Sequence, residues 1–252
     1  MTLLKVENLT KRFKKNGETV TAVNEISFSV EAGECLGIVG ESGCGKSTAA
    51  NLISRLQRED EGNIFFEGRK INGGFRLKPV GRELQMIFQN PQDSFDPRDT
   101  VLQGIMQGAL SYKVYSNREL KEKALDLFSY VGLKPEYQNK KTSELSGGEC
   151  QRAAVARALI CEPKLLICDE ATSALDVLVQ AQLIDLLRKL KNDKKMAMIF
   201  ITHDLPLAAA FCDRIAVMHK GRIIEIGEAR KVLKSPEQEE TKKLIQAVLP
   251  VR

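Results

Sequence analysis

The sequence has 252 residues, 43% of them apolar and 28% charged, with a formal net charge of +5 and a pI near 8.8. That is enough chain to bury a sizeable α/β core, and because the positive excess is spread out instead of gathered in blocks it gives no argument for nucleic acid as a partner. No run approaches the roughly eighteen apolar residues of a membrane span, and residues 1–8 lack the pattern of a leader. A soluble protein of a reducing cytoplasm is expected, and any membrane component would have to come from another chain. The six cysteines, Cys35, Cys44, Cys150, Cys161, Cys168 and Cys212, are widely spaced without a C-x-x-C pair, so neither a disulfide framework nor a zinc site is expected.

The first segment alternates through Leu4, Val6 and Leu9, turns at Asn16-Gly17 and returns through Val20, Val23, Ile26, Phe28 and Val30. That pattern predicts a hairpin. Phe13, just before the turn, has two readings: a ring against an adenine base or an apolar plug at a sheet edge.

The apolar run Cys35–Val39 then leads into Gly40-Glu41-Ser42-Gly43-Cys44-Gly45-Lys46-Ser47-Thr48, followed by a helical pattern from Lys46 to Leu56. A glycine loop between a buried strand and a helix aims backbone N–H groups and the positive helix end at one point, which suits phosphate. Lys46 would reach the outer phosphates, and the Ser47 hydroxyl would join the shell of a bridging magnesium ion.

Strand-like runs follow at 63–66 and 84–89, separated by Gly73-Gly74. From Asn90 to Leu145 the β-branched alternation gives way to helical periodicity, with Ser116 and Glu119 spaced as a capping box. Leu145-Ser146-Gly147-Gly148-Glu149 opens the next helix. It reads as a plain capped start or as a second anion-seeking helix end, one that would serve a nucleotide held elsewhere.

Beyond Cys150 the order is helix, apolar strand 165–168, helix 177–190 and strand 196–201, which predicts a parallel sheet covered on both faces. The strand ending Asp169-Glu170 places two carboxylates where open α/β sheets carry their chemistry. Asp169 would hold magnesium through water. Glu170 needs a change of backbone direction to face the same nucleotide, where it could take a proton from attacking water. A hairpin around Lys220-Gly221 and one amphipathic tail helix containing Val232, Leu244, Ile245 and Val248 complete the chain.

In order, the phosphate loop 40–48, Gln89 after a strand, Leu145–Glu149, Asp169-Glu170, Ser173-Ala174-Leu175-Asp176 and Thr202-His203-Asp204 resemble the ATP-binding cassette (ABC) ATPases from end to end. The resemblance implies an α/β P-loop NTPase fold with a mostly parallel sheet, an N-terminal antiparallel β subdomain and an inserted α-helical subdomain. It implies residues 1–89 and 158–230 as nucleotide-binding core, 90–157 as helical subdomain and 231–252 as a helical tail. It also implies ATP and Mg2+, with Phe13 stacking on adenine and residues 40–48 on the phosphates. Ser47, Gln89 and Asp169 would serve the metal. Gln89, Glu170 as base, and His203 at the γ-phosphate would carry catalysis. Residues 145–149 would meet the ATP of a partner subunit, with Asp176 at the dimer contact. No role is expected for His219.

Within the family, 88–91, 94–98, 171–177, 179–182 and 200–205 resemble the oligopeptide, dipeptide and nickel importers. That implies a second ATPase subunit, two transmembrane permeases docking near 90–101, an extracytoplasmic solute-binding protein and a peripheral place at the cytoplasmic membrane face, with no nucleic acid partner. A non-transport ABC ATPase of DNA repair or translation, an exporter ATPase and a module that senses ATP without cleaving it are the alternatives. Glu149 stands where glutamine is commoner, and Cys150 where a long or basic residue is frequent.

Overall fold

A computed structural model describes residues 1–15, 17–72, 78–173 and 175–248. Asn16 of the predicted first turn, the Gly73-Gly74 pair and Ala174 lie outside them. In chain order the elements are β1 Thr2–Lys15, β2 Glu18–Glu31, β3 Cys35–Val39, α1 Lys46–Ile53, β4 Glu61–Phe66, β5 Arg69–Lys70, α2 Lys78–Gly81, β6 Leu84–Ile87, α3 Val101–Leu110 and α4 Asn117–Tyr130. Then come α5 Gly147–Leu159, β7 Leu165–Asp169, α6 Val177–Lys194, β8 Ala197–Thr202, α7 Leu205–Phe211, β9 Arg214–His219, β10 Arg222–Glu228, α8 Ala229–Lys234 and α9 Glu239–Val248.

The chain groups into two compact units, residues 1–77 with 191–252, and residues 78–190. In the first unit, β1 pairs antiparallel with both β2 and β4, and β5 continues from β4. The alternating residues of the opening segment serve this sheet: Leu4, Val6, Leu9, Val23, Ile26 and Val30 are buried. A second sheet has β3 between parallel neighbours β8 and β9, closed by antiparallel β10. Every residue of β3 and β8 is buried, as a parallel sheet covered on both faces demands.

The second unit pairs β6 and β7 in parallel and packs α3, α4 and α5 together. Its helix starts are written in the sequence. Ser116 accepts from the Glu119 N–H while Glu119 returns a bond to the Ser116 N–H, and Thr100 with Gln103 repeats the arrangement on α3. Phe95 is buried under Gly104, where a Cβ would come within 2.4 Å of its ring.

One expectation fails in the tail, which is two helices. Val232 belongs to α8 and Leu244 and Ile245 to α9, with Ser235-Pro236 between them. Proline disfavours helical backbone in the residue before it, and Ser235 has φ −141° and ψ 63°. Among the described residues no helix is long and apolar enough to cross a membrane.

Candidate functional site

The phosphate loop grows out of β3, a fully buried strand that runs into the buried Gly40, after which Glu41, Ser42 and Gly43 are exposed. Gly45 stands immediately before α1 at φ +110°, and a Cβ there would lie 2.1 Å from the Ala22 carbonyl oxygen. Only glycine fits that turn. It gives α1 no side-chain cap, and the positive end of a helix favours an anion.

Lys46 is 3% exposed, and its Nζ donates to the carbonyl oxygens of Gly40 and Glu41, each at 2.8 Å. A buried ammonium requires such partners, and these hold the cation over the loop. Cys44 lies beneath it, Sγ 4.0 Å from Nζ. Burial pushes the Cys44 thiol up while the lysine charge pulls it down, and burial wins. Ser47 is exposed at the first turn of α1. In the same unit His203 is exposed after β8, between Thr202 and the α7 cap Asp204, whose Oδ1 accepts the Leu207 N–H at 2.9 Å. Phe13 is 37% exposed on β1, with Lys11 Nζ 5.6 Å from its ring centre.

In the second unit, strand register builds the carboxylate site. β6 and β7 are parallel with Ile87 opposite Cys168, so Gln89 and Glu170, each two residues further, come out level. Gln89 Nε2 donates to Glu170 Oε2 at 3.2 Å. Glu170 has φ +46°, a left-handed conformation rare for a residue with a side chain. This is the change of direction that the sequence requires of it. Asp169, still in the strand, is buried at 6% exposure. The Ser173 N–H and hydroxyl both donate to the Glu170 carbonyl, at 3.1 and 2.9 Å, and hold the turn. Asp176 is exposed, and its Oδ1 accepts the Val179 N–H at 3.0 Å ahead of α6. Arg98 grips Asp96 through Nε and Nη2 at 3.0 and 2.6 Å, which holds that carboxyl down to about 2.

Leu145 is buried and anchors the start of α5, with Ser146 as its N-cap. Glu149 folds back over this start. Its Oε2 accepts from the Ser146 N–H at 2.9 Å and the Ser146 hydroxyl at 2.8 Å. The Ser146 N–H first, then the Ser146 hydroxyl and Tyr137, hold the Glu149 carboxyl below its ordinary value against partial burial. This reciprocal cap was readable as S-x-x-E, the spacing that marks Ser116 and Glu119. Gly147 faces open space except for Leu175 at 3.9 Å, whereas a Cβ on Gly148 would strike Val179 Cγ1 at 2.4 Å.

Beside these residues lies a cleft of about 400 Å³, lined by Gln89, Asn90, Gly147, Cys150, Gln151 and Leu175 among others. Gln151 is 2% exposed and its Nε2 lacks a hydrogen-bond partner. No motif pointed to it. In the first unit a smaller pocket of about 200 Å³ sits against Gly40 and Glu41, lined also by His219, Lys220, Glu240 and Lys243.

The loop around Lys46 and the turned carboxylate of Glu170 place the chain among the P-loop ATPases. Residues 23–173 match the family model described as ABC transporter. The chain is 44% identical to a protein of Sinorhizobium fredii named "Probable peptide ABC transporter ATP-binding protein", over 97% of this chain and 72% of that one. It is 39% identical to the oligopeptide transport ATP-binding protein OppF of Bacillus subtilis, over 98% of this chain and 82% of that one. Among solved structures it is similar to a dimeric ATP-binding cassette in a post-hydrolysis state bound to ADP and Pi, with a TM-score of 0.83 and 29% identity, covering 90% of this chain and 99% of that one. The chain therefore belongs to the ABC transporter family, as an ATP-binding cassette with ATPase activity.

Proposed function

We propose that this chain is the ATP-hydrolysing subunit of an importer for peptides, with nickel or another metal as the alternative cargo. The observation that carries the catalytic part is the Gln89–Glu170 hydrogen bond of 3.2 Å at the left-handed end of β7. A carboxylate turned out of its strand and oriented by an amide is placed to receive a proton from attacking water. The cargo class rests on the names of the two relatives.

Lys46, the N–H groups of residues 40–48 and the start of α1 would bind the triphosphate, and Phe13 the adenine. Ser47, Gln89 and Asp169 offer hydroxyl, amide and carboxylate oxygens, a donor set that suits magnesium. Among the described residues no group of three His, Cys, Asp or Glu side chains could hold a metal by itself, which fits an ion arriving on phosphates. When bound, the ion would neutralise charge on the phosphoryl oxygens. His203 would contact the γ-phosphate.

Two such subunits would face each other head to tail, the Leu145–Glu149 segment of each meeting the nucleotide of the other with Asp176 at the seam. ATP would favour the closed pair and hydrolysis would release it, because a ligand shifts a conformational equilibrium only by its differential affinity. The helical insert near residues 90–101 would pass that motion to two permeases at the cytoplasmic membrane face, fed by an extracytoplasmic solute-binding protein.

The test is uptake by a strain lacking the gene, offered a labelled oligopeptide or labelled nickel in separate assays. Wild type should restore peptide uptake and Lys46→Ala should not. Restored nickel uptake alone would move the cargo to metal, and restoration of neither would contradict the importer reading.

A further inference from the structure

All six cysteines are buried and outside any disulfide, and two that lie far apart in sequence meet in the first unit. Cys35 Sγ and Cys212 Sγ are 3.5 Å apart. Backbone pairing fixes this approach. The Asp213 N–H donates to the Cys35 carbonyl at 2.9 Å, and Asp213 Oδ2 accepts the Cys35 N–H at 2.8 Å. Lys191 Nζ holds the same carboxylate at 2.6 and 2.7 Å. Cys212 precedes Asp213 and is itself tied to the end of α7 by its N–H bond to the Ala208 carbonyl at 2.8 Å.

Space for the second thiol comes from a missing side chain. Gly37 shares the Cys35 face of β3, two residues on, and a Cβ there would lie 3.0 Å from Cys212 Sγ. A disulfide has an S–S distance of about 2.05 Å, so the two sulfurs need to close only by about 1.5 Å. Cys212 retains 7% exposure and Cys35 none, which makes Cys212 the thiol that a small oxidant reaches first.

We propose that Cys35 and Cys212 form a modification site at which hydrogen peroxide converts two thiols into a reversible disulfide that suppresses ATP turnover. The Cys212 thiolate attacks one peroxide oxygen. An S–O bond forms, the O–O bond breaks, and the departing hydroxide takes a proton to become water. The Cys35 thiolate then attacks the Cys212 sulfenic sulfur, forming S–S and expelling the second oxygen, which leaves as water after protonation. In sum two thiols and one peroxide give one disulfide and two waters, with sulfur oxidised and peroxide oxygen reduced.

The bond would act on the machinery at both ends. β3 runs from Cys35 directly into Gly40 and the phosphate loop, while α7 runs from Cys212 back to Asp204, next to His203. Core packing is too dense to absorb such a pull locally. The strain is passed along β3 and α7 to groups whose misplacement by about 1 Å can cost about 100-fold in rate.

The experiment takes the reduced full-length protein, adds hydrogen peroxide, alkylates the remaining thiols, and reads unreduced peptides by mass spectrometry beside ATP turnover. The expected result is a Cys35–Cys212 cross-linked peptide and turnover lowered by about 10- to 100-fold, both reversed by dithiothreitol. Cys212→Ser and Cys212→Ala should be active and insensitive to peroxide. Absence of the cross-linked peptide in the wild type, cross-linking with unchanged turnover, or inhibition that persists in either variant would each overturn the proposal. The wild-type peptide map decides the question even if neither variant folds.

Discussion

Gly148→Ala separates packing from ligand approach in the segment that opens α5. The added Cβ would lie 2.4 Å from Val179 Cγ1, well inside the 3.5–4.0 Å at which carbon atoms settle, so Val179 must move by roughly 1 Å or more. Overpacking of this kind costs about 1–3 kcal/mol, and replacing glycine by alanine in a helix returns about 0.5–1 kcal/mol. The net is a loss of about 0–2.5 kcal/mol. Val179 is half-buried, so Val179→Ala alone should cost about 1 kcal/mol or less. Combined, the two substitutions should show a favourable coupling of about 1–3 kcal/mol in urea unfolding, since neighbours in contact are not additive. ATP turnover should behave differently. If bare glycine is needed there for a phosphate to approach, Gly148→Ala should remain slow even in the Val179→Ala background, where the protein is stable again. Recovery of both stability and turnover in the double variant would refute a ligand role for Gly148 and leave it as a packing residue.

The remaining predictions concern thiols, charge and the loop. Burial pushes the Cys150 and Cys161 thiols up to about 11, so iodoacetamide at pH 7.5 should leave both unmodified until the chain is unfolded; peptide mapping of the folded protein would show any contrary labelling. Glu149 is held below its ordinary carboxyl value of 4.5, so its stabilising effect is complete above about pH 4.5 and is lost as pH falls through the lower folded value. Glu149→Ala should flatten that acid limb and cost about 0.5–1 kcal/mol near neutrality, an amount typical of a cap bond; an unchanged acid unfolding curve would remove the cap. Gly45→Ala places a Cβ 2.1 Å from the Ala22 carbonyl oxygen at φ +110°. Backbone strain alone costs about 1–3 kcal/mol, so both the melting temperature and ATP affinity should drop, and unaltered thermal melting would contradict the packing described.

Much of the architecture was legible because its signals are local. The alternation of the first segment, the wholly apolar strands and the cap at Ser116 each follow from the period or chemistry of a few residues. The tail departs from a single helix because Val232, Leu244 and Ile245 suggest one amphipathic face, while Ser235-Pro236 breaks the backbone that would present it. Among site residues, the turned backbone of Glu170 was foreseen, since alternation in a strand forbids Asp169 and Glu170 the same direction. The level pairing of Gln89 with Glu170 depends on the β6–β7 register, and no sequence pattern states which strands pair. The contact of Gly148 with Val179 and the approach of Cys35 to Cys212 depend in the same way on elements brought together from far along the chain. The cap formed by Glu149 follows from its S-x-x-E spacing to Ser146, a local signal of the same kind as Ser116 and Glu119.

The most direct test of the account is turnover by Glu170→Gln. Glutamine keeps the shape and a hydrogen-bonding oxygen while removing the basic carboxylate that Gln89 orients. The expected result is ATP retained with wild-type affinity, phosphate release lowered by at least about 100-fold, and a nucleotide-dependent dimer accumulating on size-exclusion chromatography. Phosphate release at the wild-type rate would show that Glu170 is not the base and contradict the central claim.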